Sequence, residues 1–245
     1  MNAILVLALG VGVGHTLLGP DHYVPFIALA RAGRWTMRKA VTVASLCGVG
    51  HVLSSVIIGV AGTALLKNIE SVTGIEAARG QVAAWLLCAF GMVYAVWGVR
   101  RGMRARTHGH PHVHADGTVH NHDHNHHGEH VHVHVPHAPL AEGRRGSITP
   151  WVLFTVFLFG PCEPLIPILM FPALRHGWWS MMVVAGVFLL ATVATMVAVV
   201  VVGVHGLRAV PIDGNGRWAV AFGRYGHALA GIAIVGCGAA MLLGL

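Results

Sequence analysis

Charge is what this chain has least of. Asp, Glu, Lys and Arg together make up 10% of its 245 residues, where a soluble domain carries roughly 25%. With 55% hydrophobic residues and a mean hydropathy of +0.68, that scarcity excludes an ordinary soluble domain and predicts an integral membrane protein. Cysteine is also sparse. The four residues Cys47, Cys88, Cys162 and Cys237 all fall in apolar segments, and their spacing builds no disulfide framework. The first 18 residues lack a basic leading region, so Met1 to Leu18 reads as a first spanning helix and not as a cleaved signal peptide. The net charge of +7 does not point to nucleic acid, because the basic residues collect at the ends of apolar segments.

Six segments reach the ~20 apolar residues needed to cross a bilayer: 2–30, 40–66, 81–99, 149–174, 180–206 and 218–244. The fold expected is therefore an all-α integral membrane protein. Its parts are a first three-helix repeat over 1–99, a disordered cytoplasmic loop over 100–148 and a second three-helix repeat over 149–245. Basic residues set the orientation. Arg31, Arg34, Arg38 and Lys39, the arginines of the 100–148 connection, and Arg208 and Arg217 all lie on one side, against Lys67, Arg79 and Arg175 on the other. The richer side is expected to be cytoplasmic, with both termini extracytoplasmic. Trp35, Trp151, Trp178, Trp179 and Trp218 fall where an aromatic belt would sit.

Two polar breaks interrupt the apolar runs. Gly19-Pro20-Asp21-His22 and Gly160-Pro161-Cys162-Glu163 stand 141 residues apart, and Gly91 and Gly98 correspond to Gly231 and Gly238 at an offset of 140. Three spans per half is an odd number, so the halves are expected to be inverted, with broken first and fourth helices meeting near the midplane, a recurrent transporter design. Each break carries groups that cost at least ~2.5–3.5 kcal/mol at membrane depth. His15, Asp21 and His22 bring three metal-binding groups to the first break. His51 lies midway along the second span, and Cys162 and Glu163 follow the second break. These six are the expected metal ligands, imidazole with carboxylate suiting nickel, cobalt, zinc or copper. Thr192 and Thr195 align with His51 through the repeat. A buried carboxylate needs a proton, a cation or a basic partner, so Asp21 and Glu163 could also couple metal movement to protons.

Thirteen of the 19 histidines lie in 108–137: His108, His110, His112, His114, His120, His122, His124, His126, His127, His130, His132, His134 and His137. Such a tract cannot pack a core and reads as an auxiliary metal-trapping loop.

The stretch from Gly14 to His22 resembles the first-helix signature of the nickel/cobalt transporter family and its urease-accessory membrane relatives, with five residues between His15 and Asp21 where that signature has four. The segment Phe159-Gly160-Pro161-Cys162-Glu163-Pro164 is similar to the break of nickel/cobalt efflux proteins and, more broadly, of the lysine-exporter superfamily, whose members are built from inverted three-helix repeats. The resemblance implies divalent metal transport, with His15, Asp21 and His22 as ligands. The expected protein is thus not an enzyme. It holds no permanent cofactor and takes nickel or cobalt, with zinc or copper as alternatives, as its substrate. It sits multi-pass in the inner membrane, its partners are metal ions and the bilayer, and a homo-oligomer is compatible with the sequence. Two other functions share the superfamily. A thiol-redox electron carrier needs a cysteine in both breaks, and the first break has Asp21 there. A sulfite or organic anion exporter should place basic groups at the midplane, where the conspicuous groups are instead Asp21, Glu163 and histidines.

Overall fold

The computed structural model describes residues 2–66, 69–104, 108–113, 119–124, 149–162, 164–209 and 217–244. The apolar runs form helices, in the order α1 (Asn2–Leu18), a 3₁₀ turn (Pro20–His22), α2 (Val24–Ala32), α3 (Met37–Ala61), a π-helical turn (Gly62–Leu66) and α4 (Ile69–Arg104). After a two-stranded ribbon, β1 (His108–Val113) and β2 (Val119–His124), come α5 (Thr149–Phe159), α6 (Leu165–His176), α7 (Trp178–Ala209) and α8 (Arg217–Leu243).

The helix ends follow local chemistry. Helix α1 stops at Gly19-Pro20, where proline removes a backbone donor and its ring blocks the next helical turn. The chain resumes as α2 after bending by 83°, with Pro25 in the first turn, where its missing N–H costs nothing. Thr36 caps α3 by accepting a hydrogen bond from the Lys39 amide at 3.2 Å. Gly177, at φ +84°, turns the chain from α6 into α7, a left-handed conformation natural to glycine.

Among the described residues, four uninterrupted helices are long and apolar enough to cross a membrane: Met37–Ala61, Glu70–Arg104, Trp178–Ala209 and Gly223–Leu243. The bent pair Asn2–Leu18 and Pro20–Ala32 makes a fifth. The fourth expected span, 149–174, is divided by its break into α5 and α6, of 11 and 12 residues, each short of the ~20 residues of a full crossing. Outward-facing Leu18, Trp85, Val93, Leu190 and Val202 are mostly exposed, an apolar surface suited to lipid and not to water.

Helix α4 differs most from its expected bounds. It starts at Ile69 rather than 81 and runs to Arg104 rather than 99, so Glu76 and Arg79, expected in a connection, lie on a helix. The stripe Val72, Glu76, Ala83 and Leu87 is buried, and a helical period carries the inward face through the acidic residue. Trp35 also departs from expectation. It is buried between α2 and α3, its ring lies 4.8 Å from the Lys39 ammonium and its carbonyl accepts from Arg208. The loop expected to be disordered holds β1 and β2, which pair antiparallel with His108 opposite His124, His110 opposite His122, and His112 opposite His120. His114, His126, His127, His130, His132, His134 and His137 lie outside the described residues.

Packing centres on two helix groups. Helix α4 lies against α8, and α7 is held between α1 and α3, which pack on it about equally. The α4–α8 seam is built from glycine. A Cβ on Gly98 would stand 2.3 Å from the Ala228 nitrogen, one on Gly231 2.4 Å from the Ala95 nitrogen, and one on Gly91 2.7 Å from the Val235 nitrogen. The two backbones touch, as small residues permit between membrane helices. Around the seams, Phe26 and Phe157 pack with their rings tilted and centroids 4.8 Å apart, joining α2 to α5 in a core with Leu29, Val43, Met196 and Ile234.

Gly98→Ala is expected to destabilise the protein by about 1–3 kcal/mol, the usual penalty of overpacking, seen as a lower Tm in detergent. Gly10→Ala, whose new methyl meets nothing within 4 Å, serves as the unperturbed control in the same melt.

Candidate metal centre

The first break brings three histidines together. His15 lies one turn before the end of α1, His22 closes the 3₁₀ turn and His51 lies in the middle of α3. One ligand nitrogen from each falls within 4.8 Å of the others. The rings of His15 and His22 have centroids 4.6 Å apart, edge to face, and those of His22 and His51 stand at 5.1 Å. His22 and His51 are buried, each 3% exposed.

Local sequence explains how the rings meet. On an unbroken helix His15 and His22 would be stacked nearly two turns apart. The break at Gly19 folds the chain back and sets His22 beside His15. Gly19 is required for this, since a Cβ there would lie 2.6 Å from His22 Nδ1 and 2.9 Å from Asp21 Oδ1. His51 arrives through close helix approach. A Cβ on Gly48 would touch Met196 Sδ of α7 at 3.1 Å, and one on Gly50 would touch the Phe154 ring of α5 at 3.0 Å.

The nitrogens of the cluster have clear roles. His22 Nδ1 is 3.2 Å from the Gly19 carbonyl and 3.3 Å from Asp21 Oδ1. A carbonyl can only accept, so Nδ1 carries the proton and Nε2 presents its lone pair. The buried atoms His15 Nε2, His22 Nε2, and both ring nitrogens of His51 have no hydrogen-bond partner. Buried polar atoms normally find partners, and leaving one without costs about 1–3 kcal/mol. Neutral nitrogen donors gathered in an apolar setting suit a d-block divalent cation. Asp21 supplies the carboxylate that orients a ligating histidine through its other nitrogen, the usual outer support of such ligands. Asp21 and His51 also face a small cavity closed by Ala83, Leu87, Phe157 and Gly160.

The six expected ligands divide. His15, His22 and His51 converge, and Asp21 stands directly behind His22. Cys162 lies apart, buried with Ala8, Leu165, Met181 and Phe188 in an apolar cluster, and Glu163 lies outside the described residues. All four cysteines are free thiols. Thr192 is buried facing Gly12 of α1, its hydroxyl without a partner, while Thr195 is partly exposed.

Sequence reasoning missed the groups that serve the second break. Glu76 is fully buried and paired with Arg79. Glu76 Oε2 accepts from Ser55 Oγ at 3.0 Å and from the Cys162 amide at 3.1 Å. Arg79 Nη2 donates to Ser54 Oγ and to the Leu158 carbonyl, both at 2.8 Å, and to the Gly160 carbonyl at 3.3 Å. The expectation that no basic group stands among the spans is thereby corrected, as it also is by Arg224 near the start of α8. Arg79 lies within a span, although its charge is balanced by Glu76 and its donors are taken up by protein acceptors. The signal available in the sequence was the i,i+3 acid–base pair continuing the apolar stripe of α4.

No protein-family model, no curated protein and no solved structure matches this chain.

The Gly19→Ala protein is expected to keep its helix content by circular dichroism yet bind Co²⁺ about 10-fold or more weakly in equilibrium dialysis, the usual scale for disturbing a ligand's support. Equal affinity would mean that His22 takes no part in binding from this position.

Proposed function

We propose that this chain is a transmembrane transporter of divalent transition-metal ions, with nickel or cobalt the best-suited substrates and efflux the favoured direction. The observation that carries the reading is the trio His15, His22 and His51, whose inward nitrogens lie within 4.8 Å of one another and without partners, at a chain break between apolar helices. Irregular backbone at membrane depth is tolerated where it is buried in protein or lines a cavity, and half-helix ends at such breaks are where transporters bind their ions. In this reading the three imidazoles replace part of the hydration shell of the ion. Asp21 orients His22 and offsets the charge of the ion, and protons compete for the same groups.

The finer architecture is part of the proposal: six helical units as an inverted 3+3 repeat, with both termini extracytoplasmic and the protein in the inner membrane. It is supported by reciprocal packing. Helix α1 lies on α7 while its counterpart α5 lies on α3, and α2 touches α8 while α6 touches α4. The resemblance of the first break to the nickel/cobalt transporter signature agrees with this arrangement. The histidine-rich segment would then gather metal on the cytoplasmic side. An anion exporter is less well supported, because the guanidinium of Arg79 is engaged by Glu76, Ser54, Ser55 and two carbonyls, and Arg224 bonds the Gly102 carbonyl near the end of α4 and stands outside the histidine cluster. A thiol-redox carrier is less well supported, because Cys162 has no cysteine across the first break.

In reconstituted vesicles loaded with a metal-sensitive dye, His15→Ala, His22→Ala and Asp21→Asn are each expected to abolish Ni²⁺ and Co²⁺ flux. Flux unchanged in Asp21→Asn would sink the site assignment. Deletion of residues 108–137 is expected to alter the concentration dependence of flux while leaving transport itself intact.

A further inference from the structure

No hydrogen bond or ion pair joins buried Glu76 and its part-buried partner Arg79 to the three histidine rings, yet the hydrogen bonds of the pair end on both sides of one of them. Ser54, which receives Arg79 Nη2, passes its own hydroxyl hydrogen to the His51 carbonyl at 2.8 Å. On the other side Arg79 holds the carbonyls of Leu158 and Gly160, and Gly160 packs directly on the imidazole. A Cβ there would lie 2.9 Å from His51 Nδ1. One planar guanidinium thus ties the turn of α3 that carries His51 to the end of α5 that backs its ring. Glu76 completes the frame by holding Ser55, the next residue of α3, and the Cys162 amide beyond the break. Gly80 lets this part of α4 come close, since a Cβ on it would stand 2.8 Å from Pro161 Cγ.

We propose that Glu76 and Arg79 are the positioning pair of the histidine cluster, fixing His51 and the second chain break as one unit so that the third nitrogen meets the other two. The inference rests on the metal-site reading above. Stability alone is a poor reason for the pair, because a buried ion pair is often no more stabilising than well-packed apolar residues of the same volume. Geometry is a better one. Arginine presents donors in a fixed fork, whereas lysine is a flexible point charge, and the acceptors around Arg79 are spread over α3, α4 and the end of α5 in a way that only a fork spans.

The test uses the full-length protein in detergent or nanodiscs with Co²⁺ as the probe, read by its visible ligand-field spectrum and by titration. Arg79→Lys and Ser54→Ala are expected to retain helix content and Tm, to weaken Co²⁺ binding by about 10-fold or more for the first and severalfold for the second, and to change the shape of the spectrum as His51 shifts. The double variant Glu76→Gln/Arg79→Gln, which leaves no unpaired charge, is expected to bind as weakly as Arg79→Lys. Affinity and spectrum equal to those of the unaltered protein in Ser54→Ala and in the double variant would overturn the positioning role while leaving the histidine site standing. Loss of Co²⁺ binding with an unchanged spectrum for the fraction still bound would also overturn it, since that pattern marks general destabilisation. Absence of Co²⁺ binding by the unaltered protein, with His15→Ala as the comparison, would overturn the metal site and the role of this pair together.

Discussion

Every backbone N–H and C=O inside an apolar surrounding needs a partner, and a helix supplies one for each until it breaks. This chain breaks twice within apolar runs, and much of its polar chemistry is arranged around those two places. At the first break the chain serves itself. The Gly19 amide bonds back to the His15 carbonyl, His22 and Tyr23 return their amides to Gly19 and Pro20, and the His22 ring and the Tyr23 hydroxyl reach the carbonyls of Gly19 and Leu17. At the second break help comes from another helix. The Glu76 carboxylate takes the Cys162 amide, and the Arg79 guanidinium takes the carbonyls of Leu158 and Gly160.

The two solutions leave opposite residues of chemistry. Around the second break acid and base are matched, and each carboxylate oxygen of Glu76 has a partner. Around the first, the turn closes on its own backbone while the imidazoles stay unpartnered, and each of the three rings keeps a buried nitrogen free of hydrogen bonds. Self-service at the first break depends on small size at Gly19, because the space a side chain would fill is occupied by the very groups that close the turn. The same glycine that permits the break therefore brings His22 to His15.

Much of this was legible in the sequence where a single local rule governs. Low charge and long apolar runs gave membrane helices, Gly-Pro gave the breaks, and three metal-binding groups of two kinds within eight residues marked the first break. His51 could be suspected from its isolation in an apolar span, but its approach depends on Gly48 and Gly50 meeting other helices, which no local pattern reveals. Glu76 and Arg79 escaped because hydropathy falls where α4 begins, so a window judged by apolarity ends the helix near 81. The helix continues because its inward stripe persists beneath the polar residues, and burial there is supplied by α3 and the second break. Cys162 was grouped with the ligands by its place in sequence. Its side chain packs among apolar residues, since the helical α6 that follows turns this part of the chain toward Met181 and Phe188, while its amide reaches the Glu76 carboxylate.

The glycine seam between α4 and α8 has a mechanical consequence. Where Gly91, Gly98 and Gly231 bring the two backbones into contact, there are no side chains to change rotamer and act as bearings. Interlocked at successive points along their length, the two helices resist sliding and twisting and behave as a single stiff mast. Any compliance would have to be found elsewhere, in the 83° elbow between α1 and α2 and in the short pieces α5 and α6 that lie against that mast.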